Sequence, residues 1–124
     1  MKKMLIVVVA FVMSSSPAFA TFYDGIMLAQ KWREYKNHEN GLKMEINADM
    51  DASWYQGYVT GIADACDGVM FSIPVGVMPK QIYEIVGKYL DDHHGELNKP
   101  ADVLVEKAIM SAFPTKTDQG KQGG

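Results

Sequence analysis

Residues 79–92, which read PKQIYEIVGKYLDD, carry the clearest structural signal in the chain. Their apolar residues recur every three or four positions, the spacing of a single stripe along a helix: Ile82, Ile85, Val86, Tyr89 and Leu90. Pro79 suits the first turn of such a helix, because the nitrogen there needs no hydrogen-bond partner. We therefore predict an amphipathic helix that begins at Pro79 and ends near His93 or His94, before Gly95.

Three further segments show the same spacing, and they lie at 24–35, 51–66 and 100–113. Asp24 is suited to cap the first of them. Residues 36–48 are polar and lack a clean period, so we predict a surface connector with one helical turn at most. The predicted fold class is all-α, a small single-domain bundle of about four helices.

Two glycines stand inside the second of these helices, Gly57 and Gly61, four residues apart. A glycine in a helix costs about 1 kcal/mol relative to alanine, so a pair at this spacing calls for a compensating contact. We predict that another helix backbone approaches closely at these two positions, within the core.

The N-terminus has the pattern of an export signal. Lys2 and Lys3 precede an apolar run at 4–13, and small residues follow at Ala18 and Ala20. We predict a signal peptide at 1–20 with cleavage after Ala20, and hence a periplasmic protein. The apolar run is shorter than the roughly 20 residues that span a bilayer, and no cysteine follows the cleavage point for lipid attachment, so we expect no permanent membrane anchor. The expected product has a helical domain at 21–114 and a polar, glycine-rich, disordered tail at 115–124.

Charge and motifs narrow the function classes. Removal of 1–20 leaves ten Lys and Arg against fifteen Asp and Glu, a formal net charge of −5, which disfavours nucleic acid as a partner. The sequence has no paired carboxylates, metal-ligand spacing, phosphate-binding glycine loop or serine–histidine arrangement, so we expect no catalytic, cofactor or metal site. His93 and His94 are adjacent and would point about 100° apart on a helix, which favours a role at the helix C-terminus over metal binding.

Cys66 is the only cysteine, so no disulfide can form within the chain. The sequence leaves two interpretations open. We favour a small buried thiol on a helix over a bridge to another chain.

A hydrophobic stretch, DGVMFSIPVGV at 67–77, interrupts the helical pattern with two glycines and a proline. Its apolar residues have two destinations: Val69, Phe71 and Ile73 enter the core, which we favour, or part of the loop lies on a partner. The candidate partner-binding residues are Met70, Phe71, Ser72, Ile73 and Val75.

An ordered set of short motifs resembles the Rap/Tai family of immunity proteins, which are associated with type VI secretion. The motifs are GYVTGIADA at 57–65, FSIP at 71–74, YLDDH at 89–93 and AFP at 112–114. The resemblance implies a periplasmic helical protein, often a homodimer, that binds a peptidoglycan-cleaving amidase effector and occludes its active site. It implies an inhibitor and no enzyme.

The chain departs from that family at three positions. Tyr55, Ser72 and Thr115 stand where the family usually has cysteines. Loss of a native disulfide typically costs about 2–5 kcal/mol in a small secreted domain, so stability must come from packing, dimerisation or binding. A periplasmic helical binding or stress protein with another partner is the alternative function, and a periplasmic enzyme ranks last.

Overall fold

The computed structural model describes residues 22–42 and 48–115 of the 124-residue chain. Within these ranges the chain forms four α-helices and a short 3-10 turn at His94–Glu96, without a β-strand. The helices are α1 (Gly25–Glu39), α2 (Ala48–Cys66), α3 (Pro79–Asp92) and α4 (Ala101–Ala112). This arrangement confirms the predicted small all-α fold. The predicted signal peptide and all of the predicted tail except Thr115 lie outside the described residues.

The helix ends follow local sequence signals. The Asp24 carboxylate accepts a hydrogen bond from the Met27 N–H at 2.9 Å, as predicted for the cap of α1. Helix α1 runs about one turn further than predicted, to Glu39, and carries Lys36 and His38 in its last turn. Basic side chains interact favourably with a helix C-terminus, which explains why this polar segment stays helical.

One part of the core is a cluster of aromatic side chains from three helices. Trp32 and Tyr35 come from α1, Tyr55 from α2 and Tyr83 from α3, with neighbouring ring centroids 5.4–6.2 Å apart. Tyr55 is fully buried, and its hydroxyl donates a hydrogen bond to the Tyr83 carbonyl at 2.7 Å. Burial raises the pKa of Tyr55 well above its usual value. The hydroxyl therefore stays neutral and its bond offsets the cost of burying it.

The rest of the core is aliphatic, and all four helices contribute side chains to it. Its fully or almost fully buried members are Leu28, Val59, Val86, Leu90, Leu104, Val105 and Ile109. The N-terminal segment is tied to the start of α4 by two backbone hydrogen bonds, from Gly25 N–H to the Lys99 carbonyl and from Ala101 N–H to the Tyr23 carbonyl, each 2.9 Å. The start of α1 is thus held against the start of α4.

Helix α1 packs against α3 at a single glycine. A Cβ atom added to Gly87 would overlap the six-membered ring of the Trp32 indole. The indole N–H donates a hydrogen bond to the Asp91 carboxylate at 3.2 Å, and the Lys36 ammonium lies 5.1 Å from the ring centroid. Gly87 therefore provides the space that lets the indole lie flat on α3.

The prediction for the other helical glycines is wrong. Gly57 and Gly61 are exposed, and a Cβ added to either would meet no atom within 4 Å. The buried row of α2 is Tyr55, Val59 and Ala63. Because each residue turns a helix by 100°, glycines two positions from this row lie on the opposite face, which the glycine spacing alone does not reveal.

Glu96 joins α3, the 3-10 turn and α4. One carboxylate oxygen accepts hydrogen bonds from Lys99 at 2.8 Å and Lys107 at 3.1 Å, and the other accepts one from the Tyr89 hydroxyl at 3.0 Å. These three donors lower the pKa of Glu96 from 4.5 to about 2. The charged carboxylate is thus the form that the fold favours.

The two kinds of helical glycine should respond oppositely to alanine. Gly87→Ala should lower the free energy of unfolding by about 1–3 kcal/mol, because the added methyl overpacks against Trp32. Gly57→Ala, the matched control on the open face of α2, should raise it by about 0.5–1 kcal/mol. Urea denaturation of both variants checks this, and equal effects at the two positions would contradict the packing at Gly87.

Glu96→Gln should lower the melting temperature at pH 7, because it removes the charge that three donors stabilise. The pKa of Glu96 is depressed in the fold, so its contribution is complete above pH 4.5 and is lost as the pH falls toward 2. Thermal denaturation across this range should show the two proteins converging near pH 2. Asp92→Asn, which breaks only an exposed pair with Lys88, is the control and should have a smaller effect. Identical melting temperatures of Glu96→Gln and the unaltered protein at pH 7 would refute this role.

Candidate partner-binding surface

The connection between α2 and α3, residues 67–78, folds into a compact loop around one buried side chain. Phe71 is fully buried and packs in the core. On its N-terminal side the Gly68 N–H donates a hydrogen bond to the Phe71 carbonyl at 2.8 Å, and Gly68 has a positive φ of 82°. Phe71 therefore fixes the loop to the bundle, and the residues on either side of it form two projecting turns.

The second turn, Pro74–Val77, is largely exposed to solvent. The Val77 N–H donates to the Pro74 carbonyl at 3.3 Å, and Gly76 has a φ of 96°. Positive φ at the third position of a four-residue turn is what a type II turn requires, and glycine adopts it without strain. Val75 occupies the second position and its side chain is fully exposed.

Three further hydrogen bonds fix the shape of this loop. The Asp67 carboxylate accepts one from the Ile73 N–H at 2.9 Å, and the Ser72 N–H donates to the Phe113 carbonyl at 3.1 Å. The Met78 N–H donates to the Gln81 side chain at 2.7 Å where α3 begins. A loop held in this way is already ordered when a partner arrives, so binding costs less conformational entropy.

The predicted site residues differ in their access to solvent. Val75 is exposed, Met70, Ser72 and Ile73 are half-buried, and Phe71 is inaccessible. The prediction that Phe71 enters the core is confirmed, and the half-buried Ile73 packs against the core from its edge. The same prediction is wrong for Val69, which is 76% exposed.

Sequence reasoning missed two exposed apolar residues of this surface, Val69 and Met78. Met78 is 63% exposed and precedes α3 in an extended conformation, with φ −87° and ψ 150°. Its position directly before Pro79 is the signal that could have identified it, because a residue before a helical proline is held extended and outside the helix. We call Val69, Val75 and Met78 the apolar tips of the loop.

A cleft of about 160 Å³ opens beside the apolar tips, between α2, the loop and the start of α3. Its lining includes the apolar residues Ala63, Ile73, Val77 and Ile82 and the acidic residues Asp64 and Asp67. Ile73 and Val77 line the cleft, and Pro74, Val75 and Gly76 between them are exposed.

A larger groove of about 570 Å³ lies between α1 and α3, and its charges are compensated internally. Lys80 pairs with Glu39 at 3.6 Å, and Lys88 with Asp92 at 2.8 Å. Surface pairs of this kind are screened and leave little net field for a charged partner. The loop is therefore the stronger candidate.

Cys66 lies half-buried at the end of α2, 4.0 Å from a carboxylate oxygen of Glu106. Burial raises the pKa of the thiol, and the Glu106 and Asp102 carboxylates raise it further. A raised pKa disfavours the thiolate, the reactive form of cysteine. This environment suits a structural thiol.

The histidine pair lies just beyond α3, as predicted for a helix end. His93 is the C-cap residue and its ring stacks on Tyr89 with centroids 3.9 Å apart. In the two described ranges no three His, Cys, Asp or Glu side chains are grouped to hold a metal ion.

Of the helices in the described part of the chain, none is long and apolar enough to cross a membrane.

Gly76→Ala should cost about 1 kcal/mol of unfolding free energy, because an L-residue is strained at a φ of 96°. Gly95→Ala, at an open position without positive φ, is the control and should change stability little. Urea denaturation measures both, and amide chemical shifts should change at 73–78 in Gly76→Ala alone. Unchanged shifts in this segment would contradict the turn described above.

Two comparisons with known proteins were informative about the family of this chain. A search of curated proteins finds no match. A family model described as Rap1a immunity proteins matches residues 41–115, more than half of the chain. The matched region includes α2, the loop with its apolar tips, α3 and α4. The chain therefore belongs to the Rap1a family of immunity proteins.

Proposed function

We propose that this protein is a periplasmic immunity protein, which binds a peptidoglycan-cleaving amidase toxin delivered by type VI secretion and occludes its active site. Membership of the Rap1a immunity family supports a toxin effector as the partner class. The structural observation that carries the proposal is the rigid turn at 74–77, which presents Val75 to solvent on an ordered loop.

The apolar tips have the properties of an anchor for a concave partner. Val75 is fully exposed and Met78 is 63% exposed, so both can lose solvent contact on binding. Complete burial of a side chain of this size contributes roughly 1.5–3 kcal/mol, and a few such residues usually dominate an interface. A narrow rigid turn fits a cleft, and an enzyme's active site is a cleft.

The pKa shifts of the chain's ionisable groups agree with an inhibitor that binds its partner without catalysing a reaction. The raised pKa of the Cys66 thiol disfavours a nucleophilic role. Glu106, next to it, also has a raised pKa, mainly because of burial and then because of Asp102. Neither group lies at the apolar tips, so the proposed contact surface contains no reactive side chain.

The periplasmic location rests on the N-terminal sequence, with its two lysines, short apolar run and Ala18-Phe19-Ala20. An oxidising compartment usually favours disulfides in small domains. Here Tyr55 occupies one family cysteine position and is fully buried in the aromatic cluster. Packing of this kind supports a stable exported domain without a cross-link.

The proposal includes self-association through the outward face of α2. Gly57 and Gly61 are exposed there, and Met50 on the same helix is 71% exposed. Burial of Met50 against a second copy would remove apolar surface from solvent. Light scattering of the free protein at rising concentration measures this association directly.

Val75→Asp should weaken the complex with a candidate amidase toxin encoded beside this gene by about 2 kcal/mol or more, because it places a charge in an apolar contact. The measurement is isothermal titration calorimetry, paired with a lysis assay in cells that export the toxin to the periplasm. Protection should be lost in the same variant.

Ile26→Asp is the matched control, because Ile26 is 61% exposed on α1, outside the loop. It should bind and protect like the unaltered protein. Full binding by Val75→Asp would show that the loop is not the contact. Absence of any complex with the unaltered protein would reject this toxin and favour a periplasmic helical binding or stress protein with another partner.

A further inference from the structure

The cleft beside the apolar tips has a chemistry of its own. Its walls are aliphatic, formed by Ala63 and Ile82 from the helices and by Ile73 and Val77 from the loop. Its volume of about 160 Å³ corresponds to roughly five water molecules at about 30 Å³ each. A space of this size can hold the aliphatic stem of one side chain.

Two acidic residues, Asp64 and Asp67, are among those that line this cleft, and both are exposed. Among the residues at 22–42 and 48–115, no Lys, Arg or His forms an ion pair with either of them. Asp67 has a role inside the chain, because it accepts the hydrogen bond of the Ile73 N–H. Asp64 is exposed and has no such role.

The helix terminus makes this placement of negative charge unfavourable in the free protein. Asp64 lies in the last turn of α2, which has no basic residue, and Asp67 follows directly after Cys66. The C-terminus of a helix carries a partial negative charge, so carboxylates there are disfavoured and cations are favoured. A cation in this cleft would interact favourably with both carboxylates and with the end of α2.

We propose that this cleft receives a lysine or arginine side chain of the toxin, whose aliphatic stem contacts the walls and whose cation binds Asp64 and Asp67. The inference rests on the proposed function and names the partner residue at the same surface. The cleft and the apolar tips share one loop, because Val75 lies between the lining residues Ile73 and Val77 in the sequence and Met78 follows Val77. The expected net charge of −5 attracts a basic partner from a distance.

The first test uses a small probe and does not depend on the toxin. Titration of the ¹⁵N-labelled protein with n-butylammonium chloride should shift the amides of Asp64, Asp67, Ile73 and Val77 selectively. n-Butanol and sodium chloride, which offer the stem and the ions separately, should not reproduce the pattern. Asp64→Asn should weaken the probe's binding up to about fivefold.

The second test uses the toxin itself. Asp64→Asn should bind it about tenfold more weakly at low salt, with a smaller loss at high salt. Glu84→Gln, an exposed change of the same charge on α3 that lines the other groove, is the matched control and should bind normally. Asp64→Asn should melt at the same or a higher temperature than the unaltered protein, so lost binding would not reflect unfolding.

The outcomes separate this inference from the proposed function. Localised probe shifts together with a weakened Asp64→Asn complex support the basic anchor. Scattered or absent probe shifts, or equal toxin binding by Asp64→Asn and the unaltered protein, overturn it. Probe binding without any toxin complex removes the proposed toxin and retains the cleft as a site for a basic side chain.

Discussion

The contact between the Trp32 indole and Gly87 is the constraint on which the rest of the fold depends. It sets the distance between α1 and α3, because no other residue type at 87 leaves room for the ring. With the indole in place, Tyr35 and Tyr55 stack beside it and the Tyr55 hydroxyl reaches the Tyr83 carbonyl. Three helices are thereby positioned by one aromatic cluster.

This cluster also bears on the stability of a chain with a single cysteine. The resemblance described above implies a cysteine at position 55, and a native disulfide contributes about 2–5 kcal/mol in a small domain. In this structure Tyr55 is fully buried at that position. Large aromatic side chains bury more area than any other residues and prefer defined ring geometries. The hydrogen bond from the Ser72 N–H to the Phe113 carbonyl joins the loop to the residue that follows α4. Packing and backbone hydrogen bonds thus hold these parts of the chain together.

Much of the fold follows from periodicity. The stripe at 79–92 predicted the start of α3 at Pro79 correctly and its end within one or two residues, and the segment that opens at Pro100 predicted α4. The helical turn allowed for in 36–48 was not assigned to α1, because the effect of basic residues at a helix end is not visible as apolar spacing. Gly57 and Gly61 were predicted to contact another helix, because the energetic cost of a glycine in a helix can be read from the sequence. Which face of the helix carries the glycines depends on the position of the core, and the glycine spacing does not give that position.

The candidate site was harder to predict than the helices. The alternation at 71–73 correctly placed Phe71 in the core, since a half-buried segment alternates. It failed for Val69, because the turn at Gly68 reverses the chain and points that side chain outward. Exposure in a loop depends on turn geometry, and turn geometry depends on hydrogen bonds such as the one between Asp67 and Ile73, which join residues distant along the loop.

The closed turn at 74–77 has a consequence for the rates of binding. A partner that docks on Val75 meets a surface that needs no folding step, so association is limited by diffusion, orientation and charge. Differences in affinity among such complexes then arise mostly in how slowly they separate. The lifetime of a complex formed at this loop would then depend on the contacts around the turn and not on a folding step.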